Sequence, residues 1–203
     1  MKSKRTKKIP KVDRITPALN FFAEAGLLKR IKRSGWWVAG IKTPESVAEH
    51  SFRTAVMAFY LAYLENVDPL KTITMALFND IHESRINDLH KMGHYYIDFK
   101  DAEKKVFKDQ IVDLDGKVKA LLARMRRDYD AQVSKESLVA RDADILECLL
   151  QAKEYYDHGH QGAKLFFGKA PLFLKTKSAK NIWRQMKKWN SHDWWQKVVK
   201  FER

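Results

Sequence analysis

The chain has a single cysteine, Cys148, in 203 residues. One thiol excludes an internal disulfide framework and a cysteine-built zinc cage, and a reducing cytoplasm is the expected compartment. Glycine and proline are also sparse, at eight and five residues. That excludes a collagen-like chain, and with 45% hydrophobic residues it also excludes a disordered one. No run approaches the ~20 apolar residues of a membrane-crossing helix, and Met1–Lys8 has no apolar core of the kind a signal peptide carries. Alternating strands, internal repeats and low-complexity linkers are missing too. What remains is a globular chain of the length of one domain.

Positive charge is plentiful but unevenly placed. The formal net charge is +14. Residues 1–11 hold six basic and no acidic side chains, and residues 164–203 hold eleven basic against two acidic ones. The body between them is close to neutral, so a nucleic-acid reading attaches to the ends alone. We divide the chain accordingly into a basic tail (1–11), a core (12–163) and a basic, tryptophan-rich helical extension packed on that core (164–203).

The hydrophobic pattern is helical almost throughout, and the expected class is all-α. A first helix is expected over 17–28, with Thr16 as N-cap and Pro17 in the first turn. A second runs from Glu45 to about Glu65, with Val47, Phe52, Val56, Phe59 and Tyr60 near one face. Asp68 caps a third, from Pro69 to about Ser84. Residues 85–100 read as irregular, with Gly93 as a breaker. A charged helical stretch covers 101–131, broken near Asp115-Gly116, and another helix spans 137–156. The last spans 178–199, where Ile182, Met186 and Trp189 recur at i, i+4 and i+7. Trp183, Trp189, Trp194 and Trp195 stand among cations there, as in surfaces that stack bases. The amphipathic pattern makes packing on the body the first reading and nucleic-acid binding a secondary one.

Three segments carry acids and histidines: Ser46-Val-Ala-Glu-His50-Ser51, Ala76-Leu-Phe-Asn79-Asp80-Ile-His82-Glu83 running on to Asp88, and Asp142-Ala-Asp144-Ile-Leu-Glu147. A polar group on an apolar helix face is costly without a partner. Converging His50, Asp80 and Asp144 would make mixed imidazole and carboxylate ligands for a divalent metal. Spacing alone leaves open that they are hydrogen-bonded core residues or ordinary surface ones. His82, His90 and His94 read as solvent-facing or loop histidines, and His158 and His160 as loop residues. Cys148 reads as a small buried hydrophobe. Glu147, Gln151 and Glu154 share a helix face, with structural, dimer-contact and catalytic roles all open.

With Arg33-Ser-Gly-Trp36 added, these motifs resemble, across residues 27–156, the HD-domain metal-dependent phosphohydrolases, most closely their 5′-deoxynucleotidase type. The resemblance implies an HD-domain helical bundle that holds one divalent metal per chain (Mn, Co, Zn or Mg) and removes the 5′-phosphate from a (deoxy)nucleoside monophosphate. It assigns His50, Asn79, Asp80 and Asp144 to the metal, Glu83 and Asp88 to catalysis at the attacking water, and Arg33 to the phosphate. Trp36 would support the base or the loop. It further implies a homodimer, a small nucleotide as substrate and no membrane partner.

One position departs. Asn79 stands where the family's defining histidine belongs, so the motif reads Asn-Asp. Either Asn79 ligates through its amide oxygen and shifts the site toward Mn or Mg, or His82 or Glu83 leans in to compensate, or the site is disabled. The last outcome would leave a catalytically impaired protein that binds nucleotides or nucleic acid. A third reading keeps an HD hydrolase but gives it another nucleotide phosphate. Asn87 replaces a glycine before Asp88, and the segment from Leu89 to Tyr95 departs from the family's loop, which leaves base and sugar preference open.

Overall fold

The computed structural model describes residues 15–196, 198 and 199, so the basic tail lies outside the described residues. The described chain is all-α, with no strand; its one β-type contact is an isolated antiparallel bridge between Lys32 and Ser46.

The order is α1 (Ile15–Leu27), α2 (Gly35–Val38), α3 (Val47–Glu65), α4 (Pro69–Phe78), α5 (Glu83–Ile86), α6 (Lys91–Tyr96), α7 (Phe99–Ile111) and α8 (Gly116–Ala131), followed by α9 (Lys135–Asp157). Beyond it lie α10 (Phe166–Lys169), flanked by two 3₁₀ turns, then α11 (Lys177–Met186) and α12 (Asp193–Gln196). Helices α3, α4 and α9 pack on one another as the central layer. Ala58, Leu61, Met75, Ala76, Ala140, Ala143 and Leu146 meet at its centre. Leu174, Ala179, Trp183 and Met186 lie in that same cluster, so the extension and the body share one core.

The start of α3 is written in its first residues. Ser46 Oγ accepts from the Glu49 amide at 3.2 Å while the Glu49 carboxylate accepts from the Ser46 amide at 2.5 Å, a reciprocal cap. Asp68 caps α4 as expected, accepting from the Leu70 and Lys71 amides.

Several elements differ from the sequence expectations. Helix α1 already includes Thr16, which therefore lies in the first turn and is not its N-cap. The apolar face expected on α3 is largely outward: Val47 is buried, but Phe52, Val56, Phe59 and Tyr60 are exposed. The inward face carries Ser51, Thr54, Ala58 and Ala62, small residues that let α4 and α9 approach closely. Helix α4 stops at Phe78, and residues 79–82 form turns. Backbone bonds there shorten to i→i−3, with the Glu83 amide donating to the Asp80 carbonyl at 3.0 Å, and Arg126 takes the Asn79 carbonyl. Gly93 lies inside α6, where a Cβ would come within 2.4 Å of a Leu89 methyl; it allows close packing and breaks nothing. The last helix is interrupted after Met186, because the Asp157 carboxylate takes both the amide and the hydroxyl of Ser191.

Asp142 fixes where α11 begins. It is fully buried and accepts from the Lys175 amide at 2.9 Å and the Thr176 amide at 2.7 Å. Asp142→Ala would strand two part-buried donors. It is expected to cost about 3 kcal/mol, on the order of 1–3 kcal/mol for each unsatisfied group, read as a lower urea midpoint with the slope unchanged.

Candidate metal centre

The inward polar residues of the central layer converge. His50 from the second turn of α3, Asp80 from the turn after α4 and Asp144 from α9 bring one ligand atom each within 4.8 Å of one another. His50 Nε2 lies 3.1 Å from Asp144 Oδ1 and 3.4 Å from Asp80 Oδ2, and only 1% of the His50 side chain is exposed.

A second layer sets the His50 ring. Its Nδ1 contacts Glu147 Oε2, and since a carboxylate only accepts, Nδ1 carries a proton there while Nε2 faces the two aspartates. Glu147, fully buried, is in turn held by Arg53, whose Nε donates at 2.8 Å. Arg53 also reaches Glu154 at 2.8 Å and Gln151 at 2.5 Å. The shared face of Glu147, Gln151 and Glu154 is thus an inward brace for His50.

Charge follows from this geometry. Burial pushes the Asp80 pKa up, but His50 and Arg33 outweigh it and hold the carboxyl low. For Asp144, burial is likewise overcome by His50 and Arg141. Glu83 goes the other way, because burial and then the neighbouring Asp80 and Asp88 charges raise it well above the ordinary range. Glu45 is pushed up to about 7 by burial and by Glu147. Two carboxylates kept ionised and one imidazole oriented through Nδ1 by Glu147 are a donor set that fits a divalent cation. Glu83 Oε2 is buried and has no hydrogen-bond partner among the described residues, an unsatisfied acceptor beside the cluster.

Arg33 stands at the rim, its guanidinium 3.5 Å from Asp80 and 3.7 Å from Asp88. Asp88 is held by the Ser34 amide at 3.1 Å. Asn87 precedes it with φ of 64°, the left-handed value that a glycine there would take without strain. Trp36 is 2% exposed, packed edge-to-face on Tyr155 and at a tilt on Phe166, and donates to Glu45 at 2.9 Å. Its ring is covered by these neighbours.

Asn79 sits beside the cluster with its amide nitrogen donating to Asp80 Oδ1 at 2.7 Å. His82 turns away from the cluster: it is buried with Nδ1 3.4 Å from Arg126 and Nε2 3.6 Å from Glu103, so it does not replace the missing histidine. His90 caps α6, accepting from the Gly93 amide. Burial raises the Cys148 thiol to about 12, which makes it inert. Sequence reasoning missed Glu45, Arg53 and Arg141, the last lying 3.2 Å from Asp144. Arg53, three residues after His50, shared a helix face with it and was the one available signal.

Comparison with known proteins bears on this site. The family model described as HD domain matches residues 25–187. The 5′-deoxynucleotidase HDDC2 of Dictyostelium discoideum is 34% identical over 154 residues, covering 70% of this chain and 80% of its own. The human 5′-deoxynucleotidase HDDC2 is 29% identical, covering 72% of each chain. Among solved structures, a conserved hypothetical protein from Pyrococcus furiosus superposes with a TM-score of 0.71 at 27% identity, over 84% of this chain and 99% of that one.

Proposed function

The chain belongs to the HD-domain family, and from that premise we propose that it is a metal-dependent 5′-deoxynucleotidase, releasing phosphate from deoxynucleoside monophosphates. The observation that carries the reading is the meeting of His50, Asp80 and Asp144 within 4.8 Å, with Arg33 beside them.

His50, Asp80 and Asp144 would hold the cation, and one imidazole with two carboxylates suits Mn better than Zn. When bound, the cation supplies Lewis-acid polarisation of a phosphoryl oxygen. The rest falls to the chain's own side chains. Arg33 would bind the phosphate through its planar donors, moving from the two aspartates it now faces. Glu83 would transfer a proton through the oxygen that has no hydrogen-bond partner among the described residues, and Asp88 would orient the attacking water. Asn79 would act through Asp80, fixing which carboxylate oxygen faces the cation.

The test is phosphate release from dAMP, dTMP and AMP by metal-stripped protein with Mn, Co, Mg or Zn returned. We expect Mn-dependent release that is faster from the deoxynucleotides. Asn79→His is expected to tighten Co and Zn binding by at least tenfold while changing Mg little, because it adds an imidazole to an oxygen-rich site. Turnover in the variant alone would mean the natural chain is a nucleotide binder; silence in both would sink the reading. Pyrophosphate or triphosphate release would point to another nucleotide substrate.

The proposed assembly is a homodimer through α3. Phe52, Val56, Phe59, Tyr60 and Tyr63 recur at i, i+4, i+7, i+8 and i+11 and are all exposed, Phe52 by 69% and Tyr60 by 60%. A contiguous apolar stripe of this kind marks a contact surface. Phe52→Glu with Tyr60→Glu is expected to convert a dimer to a monomer in light scattering after size exclusion, and a monomer before mutation would overturn the assignment.

A further inference from the structure

The brace behind His50 ends in a cavity. A cleft of about 510 Å³ lies between the C-terminal half of α9 and the segment around α12. Arg53's partners Gln151 and Glu154 form part of its wall, as does Tyr155, whose hydroxyl accepts from the Glu45 amide at 2.8 Å. A molecule in the cleft would therefore touch groups that stand one or two hydrogen bonds from Glu147 and the loop carrying Trp36. This is the side of His50 away from Asp80 and Asp144.

The wall also says what would fit. It is built largely of rings: Tyr155, Trp194 and Trp195 together with His158, His160 and His192. The His158 and His192 rings lie 4.5 Å apart, edge to face, and Trp194 is 62% exposed, its ring surface open to stack on. His158 Nδ1 donates to the Glu154 carbonyl at 2.7 Å, which leaves Nε2 as an acceptor. Aromatic faces bind planar rings of any sequence of substituents, and imidazole, amide and hydroxyl edges supply hydrogen bonds to ring nitrogens and carbonyls. Among the described residues of the wall there is no lysine or arginine, and the one carboxylate, Glu154, is already paired with Arg53. Among those residues a phosphate would find no charged side-chain donor.

We propose that this cleft is a second binding site, for an uncharged planar heteroaromatic ligand of the nucleoside class, coupled to the metal centre through Glu154, Arg53 and Glu147. The source of the ligand rests on the proposed reaction, which would itself release a nucleoside.

The test is calorimetric titration of the full chain with 2′-deoxyadenosine, alongside Asp144→Asn and the double variant Trp194→Ala, Trp195→Ala. Binding retained in Asp144→Asn and weakened at least tenfold in the double variant is the expected result, with inorganic phosphate failing to compete. Binding that ignores the tryptophan changes, or no binding by the unmodified chain at millimolar nucleoside, would overturn the site. If circular dichroism shows the double variant unfolded, His158→Ala, at an exposed position, carries the same test with an expected loss of at least threefold. Ring-dependent binding without turnover of dAMP would sink the proposed reaction and leave the site standing. With turnover, 2′-deoxyadenosine should lower kcat in the unmodified chain and compete with substrate alone in the tryptophan variant; competition alone in both would remove the coupling.

Discussion

Glu83→Gln is expected to lower kcat for phosphate release from dAMP by 10²–10⁴-fold, the usual contribution of a positioned proton-transfer group, while metal content stays unchanged. Glu83 opens α5, is 8% exposed, and faces Asp80 and Asp88 without bonding to either. A buried carboxyl oxygen with no partner costs free energy on the order of 1–3 kcal/mol, and sites tolerate that cost where substrate or water completes the contact. Glutamine keeps the volume and the neutral form that burial already favours, so the thermal midpoint should not fall. Steady-state kinetics with metal analysis of the same samples decides the matter. A loss below tenfold would move the proton-transfer role away from Glu83, and a parallel loss of metal would make it a ligand.

How much of this was legible beforehand differs by element. The helical class, the cap at Asp68 and the break near Asp115-Gly116 follow from local chemistry, and they stand in the structure. The burial of α3 does not follow from its hydrophobic pattern. Its large apolar residues face outward while His50, Ser51, Thr54 and Ala58 face the core. A periodicity count rewards size and cannot register that a close helix approach requires small residues. The end of α4 was hidden for a related reason: an arginine 47 residues away, Arg126, takes the Asn79 carbonyl, and no window of local sequence contains that bond. At the site, His50, Asp80 and Asp144 were readable as motif positions, whereas their meeting depends on the packing of two helices and the turn after a third. Glu147 was visible as an acid on an apolar helix, but its partner lies 97 residues earlier in the chain.

That partner makes the larger of the two metal-affinity predictions. Glu147→Gln is expected to weaken Mn binding by 10–100-fold, the usual effect of losing the residue that orients a metal-binding imidazole. An amide oxygen still accepts from His50 Nδ1 or from Arg53, but it cannot satisfy both as an anion does, and the ring loses the charge that stabilises its orientation. Affinity measured by chelator competition should fall, and kcat should recover most of its value at saturating metal, because the reacting groups Glu83, Asp88 and Arg33 are untouched. Glu147→Ala goes further. It leaves Arg53 without its buried partner and is expected to cost about 3–5 kcal/mol of stability, the range for breaking one side of a buried ion pair. A brace that merely filled space would show the stability loss of the alanine variant and no shift in metal affinity for glutamine. Equal metal affinity in Glu147→Gln and the unmodified chain would therefore reduce the Arg53–Glu147 pair to packing, and the coupling drawn from it to the distal cleft would fail with it.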